Sequence, residues 1–235
     1  MNQAPGDSVA MSGPSPQAAQ AELAEIPERH GTDKGRTRTE MAPGQFYTAK
    51  WYTDSYARLF NHLRGEPIRL LEIGVASGSS LRMWAEFLPR AQITGIDIHA
   101  ARRREAADRI DIHIGDQTDA DFVAAVAAQA GPFDIVIDDG GHTMYQQQTS
   151  LQLLWPHVAP GGFYAIEDLH TAYHPHHGGG YLEPNSTVER VKHLIDALNR
   201  QEQAPRIADD VAGLWFATGL VVLLKPGAHP PRSAR

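Results

Sequence analysis

The residues most able to do chemistry in this chain sit at sharp turns that follow apolar runs. Asp138-Asp139-Gly140-Gly141-His142 closes one such run and Glu167-Asp168 closes the next, so several carboxylates would meet at one place. Like charges that close are costly unless a cation lies between them. Carboxylate oxygens without thiolates select a hard ion, Mg²⁺ above others, and leave coordination positions for water and substrate oxygens. The 235 residues include no cysteine, so disulfides, thiolate zinc sites and thiol nucleophiles are excluded. His142 stands three residues beyond Asp139, after two glycines that let the backbone turn, and an imidazole there can take a proton near neutral pH. An aspartate capping a turn accounts for any one of these acids. It does not account for the set.

A second constellation precedes the first. Glu72-Ile-Gly74-Val-Ala-Ser-Gly78 runs from a strand into a helix, where glycine admits close backbone approach and free N–H groups point at a ligand. Asp97 ends the next strand and could accept both hydroxyls of a ribose. Gly115-Asp116-Gln117 ends the one after, with a carboxylate and an amide able to read an adenine edge. Together they suggest an adenosine-containing ligand. The G-x-G-x-x-G spelling of a dinucleotide site is missing, whereas S-adenosylmethionine has no pyrophosphate to cradle and carries cations suited to an acidic loop. The bland reading of the glycines is a tight turn without a ligand. The run His170 to Gly180, with His174, His176 and His177, reads as a substrate lid or a transition-metal cluster; glycine and proline favour the lid, with His170 reaching substrate. Arg102-Arg-Arg104 reads as a solvated helix face.

These positions need elements to hold them. The runs 68–73, 92–98, 109–114, 133–137 and 162–166 are short, β-branched and bounded by Gly, Pro or acid, and so predict strands. Helical spacing falls between them at 80–88, 120–129 and 145–155. The alternation argues for a parallel sheet covered on both faces, whose ligands lie beyond the carboxyl ends of the strands. Ser186-x-x-Glu189 announces a further helix with Val188, Val191, Leu194, Ile195 and Leu198 on one face. Residues 214–218 and 220–224, split by Gly219, read as a closing hairpin. Residues 1–22 are rich in Pro, Gly, Ser, Ala and Gln and predict a disordered tail; 226–235 predict a second. The folded unit is expected over about 25–225.

Composition narrows the partners. Hydrophobic residues are 42% and charged residues 21%, ordinary for a soluble globular protein. A net charge of −7 argues against nucleic acid. The N-terminus lacks a secretory pattern and no apolar run is long enough to span a bilayer, so a cytoplasmic, membrane-free protein is expected.

The quoted motifs, with His30-Gly-Thr-Asp-Lys34, Tyr52-Thr-Asp-Ser-Tyr56, Ser80-Leu-Arg-Met-Trp84 and Pro160-Gly-Gly-Phe-Tyr-Ala-Ile-Glu-Asp-Leu169, occur in an order that resembles the catalytic domain of the metal-dependent macrolide sugar O-methyltransferases, from about residue 30 to 203. The resemblance implies a Rossmann-like class I methyltransferase of the α/β class, with a seven-stranded, mostly parallel sheet ending in an antiparallel hairpin. It implies Mg²⁺ at Asp139, Glu167 and Asp168 and His142 as general base. Cofactor contacts are expected at Glu72, Gly74, Gly78, Ser80, Asp97, Asp116, Gln117 and Asp138. The implied reaction is methylation of a sugar hydroxyl on a glycosylated natural product, in antibiotic biosynthesis, by a homo-oligomer. Members carry an additional N-terminal domain, whereas here a tail is expected before the match. Two other readings stay open: the same chemistry on a cephem or phenolic hydroxyl, and a non-catalytic S-adenosylmethionine-binding partner.

Overall fold

A computed structural model of the chain describes residues 16–35, 37–42, 45–199 and 210–228. Two helices and a hairpin precede the sheet: α1 (Pro16–His30), β1 (Thr37–Ala42) antiparallel to β2 (Gln45–Lys50), and α2 (Tyr52–Phe60). Alternating elements follow: β3 (Arg69–Ile73), α3 (Ser79–Phe87), β4 (Gln92–Asp97), β5 (Ile110–Ile114), α4 (Ala120–Ala130), β6 (Phe133–Asp138), α5 (Met144–Leu154) and β7 (Val158–Ile166). Then come α6 (Thr187–Leu198), β8 (Gly213–Ala217) and β9 (Leu220–Leu224).

The sheet has seven strands in the order β5-β4-β3-β6-β7-β9-β8. It is parallel from β5 to β7; β9 runs antiparallel to both β7 and β8. Strand order reverses between β3 and β6, and the carboxyl ends there form the crevice where an open α/β sheet binds its ligand.

Central strands are buried on both faces, so their side chains alternate between two separate cores. Leu70, Ile135, Ile137, Phe163 and Ala165 join α2 and α3 on one face. Leu71, Ile73, Val136, Tyr164 and Ile166 join α4, α5 and α6 on the other. This period of two also decides where the strand-end acids go.

Several expectations are revised. The tail proposed for 1–22 is helical from Pro16, while residues 1–15 lie outside the described residues. Composition there masked a narrow apolar stripe, Leu23, Ile26 and Pro27, that packs α1 onto α2 and α3; the Arg64 guanidinium adds a two-pronged grip on Glu22 at 2.8 and 2.6 Å. β7 begins at Val158, earlier than expected, because a register irregularity opposite Phe133–Ile135 lets Pro160 and Gly161 stay within the strand. Ser186 caps α6 by accepting from Glu189 N, as its spelling predicts. Only Val191 and Leu194 of its predicted apolar face are buried, and Ile195 and Leu198 are exposed. Of the C-terminal tail, residues 229–235 lie outside the described residues. Among the described residues no helix is long and apolar enough to cross a membrane.

Candidate active site

A cavity of about 580 Å³ opens over the carboxyl ends of β3, β4, β5 and β6. One wall is the turn after β3: Gly74, Val75, Ala76, Ser77, Ser79 and Ser80 line it. Gly74 has φ +93, and a Cβ there would collide with the carbonyl of Asp139, so no other residue lets the two turns approach so closely. Asp97 holds this turn in place, its Oδ2 accepting from Val75 N at 3.0 Å and Ala76 N at 3.2 Å.

The same cavity holds the reactive set. Asp139, His142 and Asp168 each offer one ligand atom, all within 4.8 Å of one another, the only such trio among the described residues. His142 Nε2 lies 3.8 Å from both Asp139 Oδ1 and Asp168 Oδ2. His142 and Asp168 adopt left-handed backbone, φ +57 and +49, as does Ala76 in the glycine turn, φ +46. Such strain in residues with side chains persists where the surroundings over-determine it, and it concentrates at functional sites. Here Thr171 Oγ1 donates toward both His142 O and Asp168 O, at 3.2 and 2.8 Å, which ties the two strained turns together.

Behind this set lies a dry cluster. The Lys34 ammonium is 2.6 Å from Asp139 Oδ2, 2.7 Å from Glu167 Oε2 and 3.2 Å from Glu72 Oε1. Tyr56 OH donates to the other Glu167 oxygen at 2.7 Å. Burial alone pulls the Lys34 ammonium down, but Asp139, Glu167 and Glu72 hold it well above its ordinary value, so it stays charged. Burial pushes Glu167 up to about 8, with Lys34 pulling the other way, and it raises Glu72 as well. On the far face of the sheet burial pushes Asp138 up to about 7, where Tyr164 OH, Gln117 Nε2 and Gly140 N donate to it at 3.2, 3.4 and 3.4 Å.

The strand-end residues therefore divide. Gly74, Ser80, Asp97, Asp116, Gln117, Asp139, His142 and Asp168 line the cavity. Glu72, Asp138 and Glu167 do not; each is 0% exposed. Glu167, expected beside Asp139 and Asp168 as a metal ligand, lies directly behind them, in contact with Lys34 and Tyr56. Gly78 is the left-handed cap of α3, packed near Arg82 and Glu105, and lies off the cavity wall. Gln117 reaches the wall, but its amide is engaged within the protein: Oε1 accepts from Gly141 N at 2.9 Å and Nε2 donates to Ser150 Oγ at 2.7 Å. It shapes the Asp139–His142 turn rather than offering a free edge to adenine.

Residues of the quoted His30–Lys34 and Tyr52–Tyr56 motifs also enter. Gly31, Thr32 and Asp33 line the cavity, and Tyr52 OH contacts Asp168 Oδ1 at 2.8 Å. Arg102, expected on a solvated face, lines the cavity near Asp97, and its Nε is buried without a hydrogen-bond partner. The imidazoles of His170, His174, His176 and His177 pack on one another with centroids 4.3 to 6.4 Å apart, on two short 3-10 helices and, for His174, the residue that joins them. They form no metal-binding trio and stand outside the cavity wall.

Residues 71–169 match the family model of a methyltransferase domain. The chain is 41% identical over 194 residues to the mycinamicin VI 2''-O-methyltransferase of Micromonospora griseorubida, across 77% of this chain and 45% of that protein. It is 42% identical over 192 residues to the demethylmacrocin O-methyltransferase of Streptomyces fradiae, across 74% and 48%. This chain is a homologue of both proteins. The solved structure of MycE methyltransferase from the mycinamycin pathway, in complex with Mg, SAH and mycinamycin VI, superposes on this methyltransferase fold with a TM-score of 0.77 at 36% identity, over 88% of this chain and 55% of that one. The chain spans about half the length of the relatives it matches.

Proposed function

We propose that this chain catalyses S-adenosylmethionine- and Mg²⁺-dependent O-methylation of a sugar hydroxyl on a glycosylated, macrolide-like natural product. The observation that carries the reading is the convergence of Asp139, His142 and Asp168 in a cavity that the glycine turn after β3 also lines. The relatives' names supply the acceptor class.

The residues present fit both groups. Two carboxylates and an imidazole within one ligand sphere suit a hard cation that keeps positions for water and substrate. The cavity's volume, its glycine wall and the acids Asp33, Asp97 and Asp116 that line it suit an adenosine with a cationic tail. Asp139 and Asp168 would hold Mg²⁺, which supplies Lewis-acid polarisation of an acceptor hydroxyl when bound. The cofactor supplies the methyl group.

The protein's own part is positioning and proton removal. His142 Nε2 would accept the hydroxyl proton as the oxygen bonds to the methyl carbon, while the methyl–sulfur bond of the sulfonium breaks and its electron pair leaves on sulfur as the neutral thioether. Asp139 Oδ1 and Asp168 Oδ2 each lie 3.8 Å from that nitrogen, so the base stands beside the two carboxylates that would hold the ion. Holding acceptor and cofactor at attack distance contributes up to about 7 to 11 kcal/mol of barrier reduction. The test is transfer of labelled methyl from S-adenosylmethionine to a panel of glycosylated macrolides, phenols and β-lactams, with and without chelator. Methylated glycoside, lost with chelator and restored by Mg²⁺, is expected; chelator-insensitive turnover, or turnover of phenols alone, would overturn the reading.

A further inference from the structure

The base of the proposed reaction lacks the partner that ordinarily orients a catalytic imidazole. His142 Nδ1 is buried with no hydrogen-bond partner among the described residues, whereas such a ring is usually aimed by a bond from its second nitrogen to a carboxylate or carbonyl. Its direction then depends on its own backbone, which is left-handed at φ +57. Thr171 reaches that backbone. Its hydroxyl is shared between His142 O at 3.2 Å and Asp168 O at 2.8 Å. Thr171 N also donates to Asp168 O at 2.9 Å, opening the 3-10 helix Leu169–Tyr173. At 6% exposure, Thr171 keeps this tie shielded from water.

The two turns it joins are not equally secured. Tyr52 OH lies 2.8 Å from Asp168 Oδ1 and accepts from Asp168 N at 3.1 Å, while Leu169 N donates to Gly219 O at 2.9 Å. Asp168 is therefore anchored to α2 and to the β8–β9 turn. The residues beside His142 are held by Gly141 N on Gln117 Oε1 at 2.9 Å and by the Thr143 cap of α5. At the His142 peptide itself the tie is the Thr171 hydroxyl.

We infer that Thr171 is a positioning residue for methyl transfer, whose hydroxyl holds the base at a fixed offset from the anchored Asp168 turn. The inference rests on the reading of His142 as the base. Both acceptors are backbone carbonyls, so the tie uses no carboxylate oxygen and leaves Asp139 and Asp168 to the cation. A reacting group displaced by about 1 Å loses about a hundredfold in rate.

The test is a mutant cycle on methyl transfer with Thr171→Val, Thr171→Ser, His142→Ala and the double variant Thr171→Val with His142→Ala, beside calorimetric titration of each with Mg²⁺ and with SAH. The acceptor is a glycosylated macrolide that the wild type methylates. Valine keeps the shape of threonine and removes the donor. Thr171→Val is expected to lower kcat about ten- to a hundredfold, with Mg²⁺ and SAH affinities within about threefold of wild type. Thr171→Ser should restore kcat to within about threefold, because it keeps the hydroxyl. With His142 already alanine, the valine should cost less than about twofold, since a missing base cannot be misplaced. An equal loss in both backgrounds, kcat within about twofold of wild type in Thr171→Val, or Mg²⁺ affinity falling in step with kcat would each overturn the inference. If Thr171→Val does not fold, Thr171→Ala carries the same cycle; failure of both to fold assigns the hydroxyl to the fold and overturns it too. Absence of methyl transfer in the wild type, or undiminished turnover in His142→Ala, is a different failure, that of the proposed function or of its base.

Discussion

Two pairs of neighbouring acids, Asp138 with Asp139 and Glu167 with Asp168, end adjacent strands and have opposite fates. The first of each pair is fully buried, and the second enters the cleft. Asp138 and Ile166 pair across the sheet and share the face of α4 and α5. Glu167 follows on the opposite face, against Lys34 and Tyr56. Asp139 and Asp168 lie past the last ladder residue, so their direction is set by the turn and not by the pleat. The lesson is that distance from the strand end does not decide the outcome: Asp139 and Glu167 each stand one residue past their strands, and only Asp139 reaches the cleft.

That division can be broken by experiment. The largest effect should come from the outer set: His142→Ala is expected to lower turnover by about 10² to 10⁴-fold, the range for a positioned acid–base group, with cofactor affinity kept. Methyl transfer beside calorimetric titration of SAH checks both, and unchanged turnover would remove His142 from the reaction.

Asp168→Asn should weaken Mg²⁺ binding by about ten- to a hundredfold, whereas Glu167→Gln should change it only a few-fold, because Glu167 faces Lys34 rather than the cation. Equal losses would place Glu167 in the metal set and abolish the distinction between the two.

Tyr56→Phe is expected to act on the inner set alone. It removes a buried donor from Glu167 and should cost about 1 to 3 kcal/mol of stability, read by denaturant unfolding, while Mg²⁺ affinity stays near wild type. The smallest effect belongs to Asp138→Asn, which should change stability by less than about 1 kcal/mol. Burial already favours the neutral form, and the amide keeps an acceptor. A large loss there would mean that the charge of Asp138 is needed.

Much of the architecture was legible because its signals are local. Short β-branched runs alternate with helical spacing, Gly219 splits the final hairpin, and Ser186 caps a helix. The motif Asp139-x-x-His142 is local as well, since its two glycines place both side chains on one turn. What lay beyond reach was non-local. Lys34 is 105 residues from Asp139 and 133 from Glu167 in the chain, and no spacing announces that it inserts between them. Arg102 read as one of three solvated arginines, because only the path of the short 3-10 helix after β4 aims one of them inward.

The amino-acid sequence by itself determined the strands, their order of chemistry and the residue types at their ends, because hydrogen bonding, periodicity and turn preferences act over a few residues. Only the tertiary structure decided which acids face water and which face an ammonium. That choice depends on the face of the sheet, on the turn beyond it and on a lysine brought from the other end of the domain, and burial multiplies the cost of every unpaired charge there.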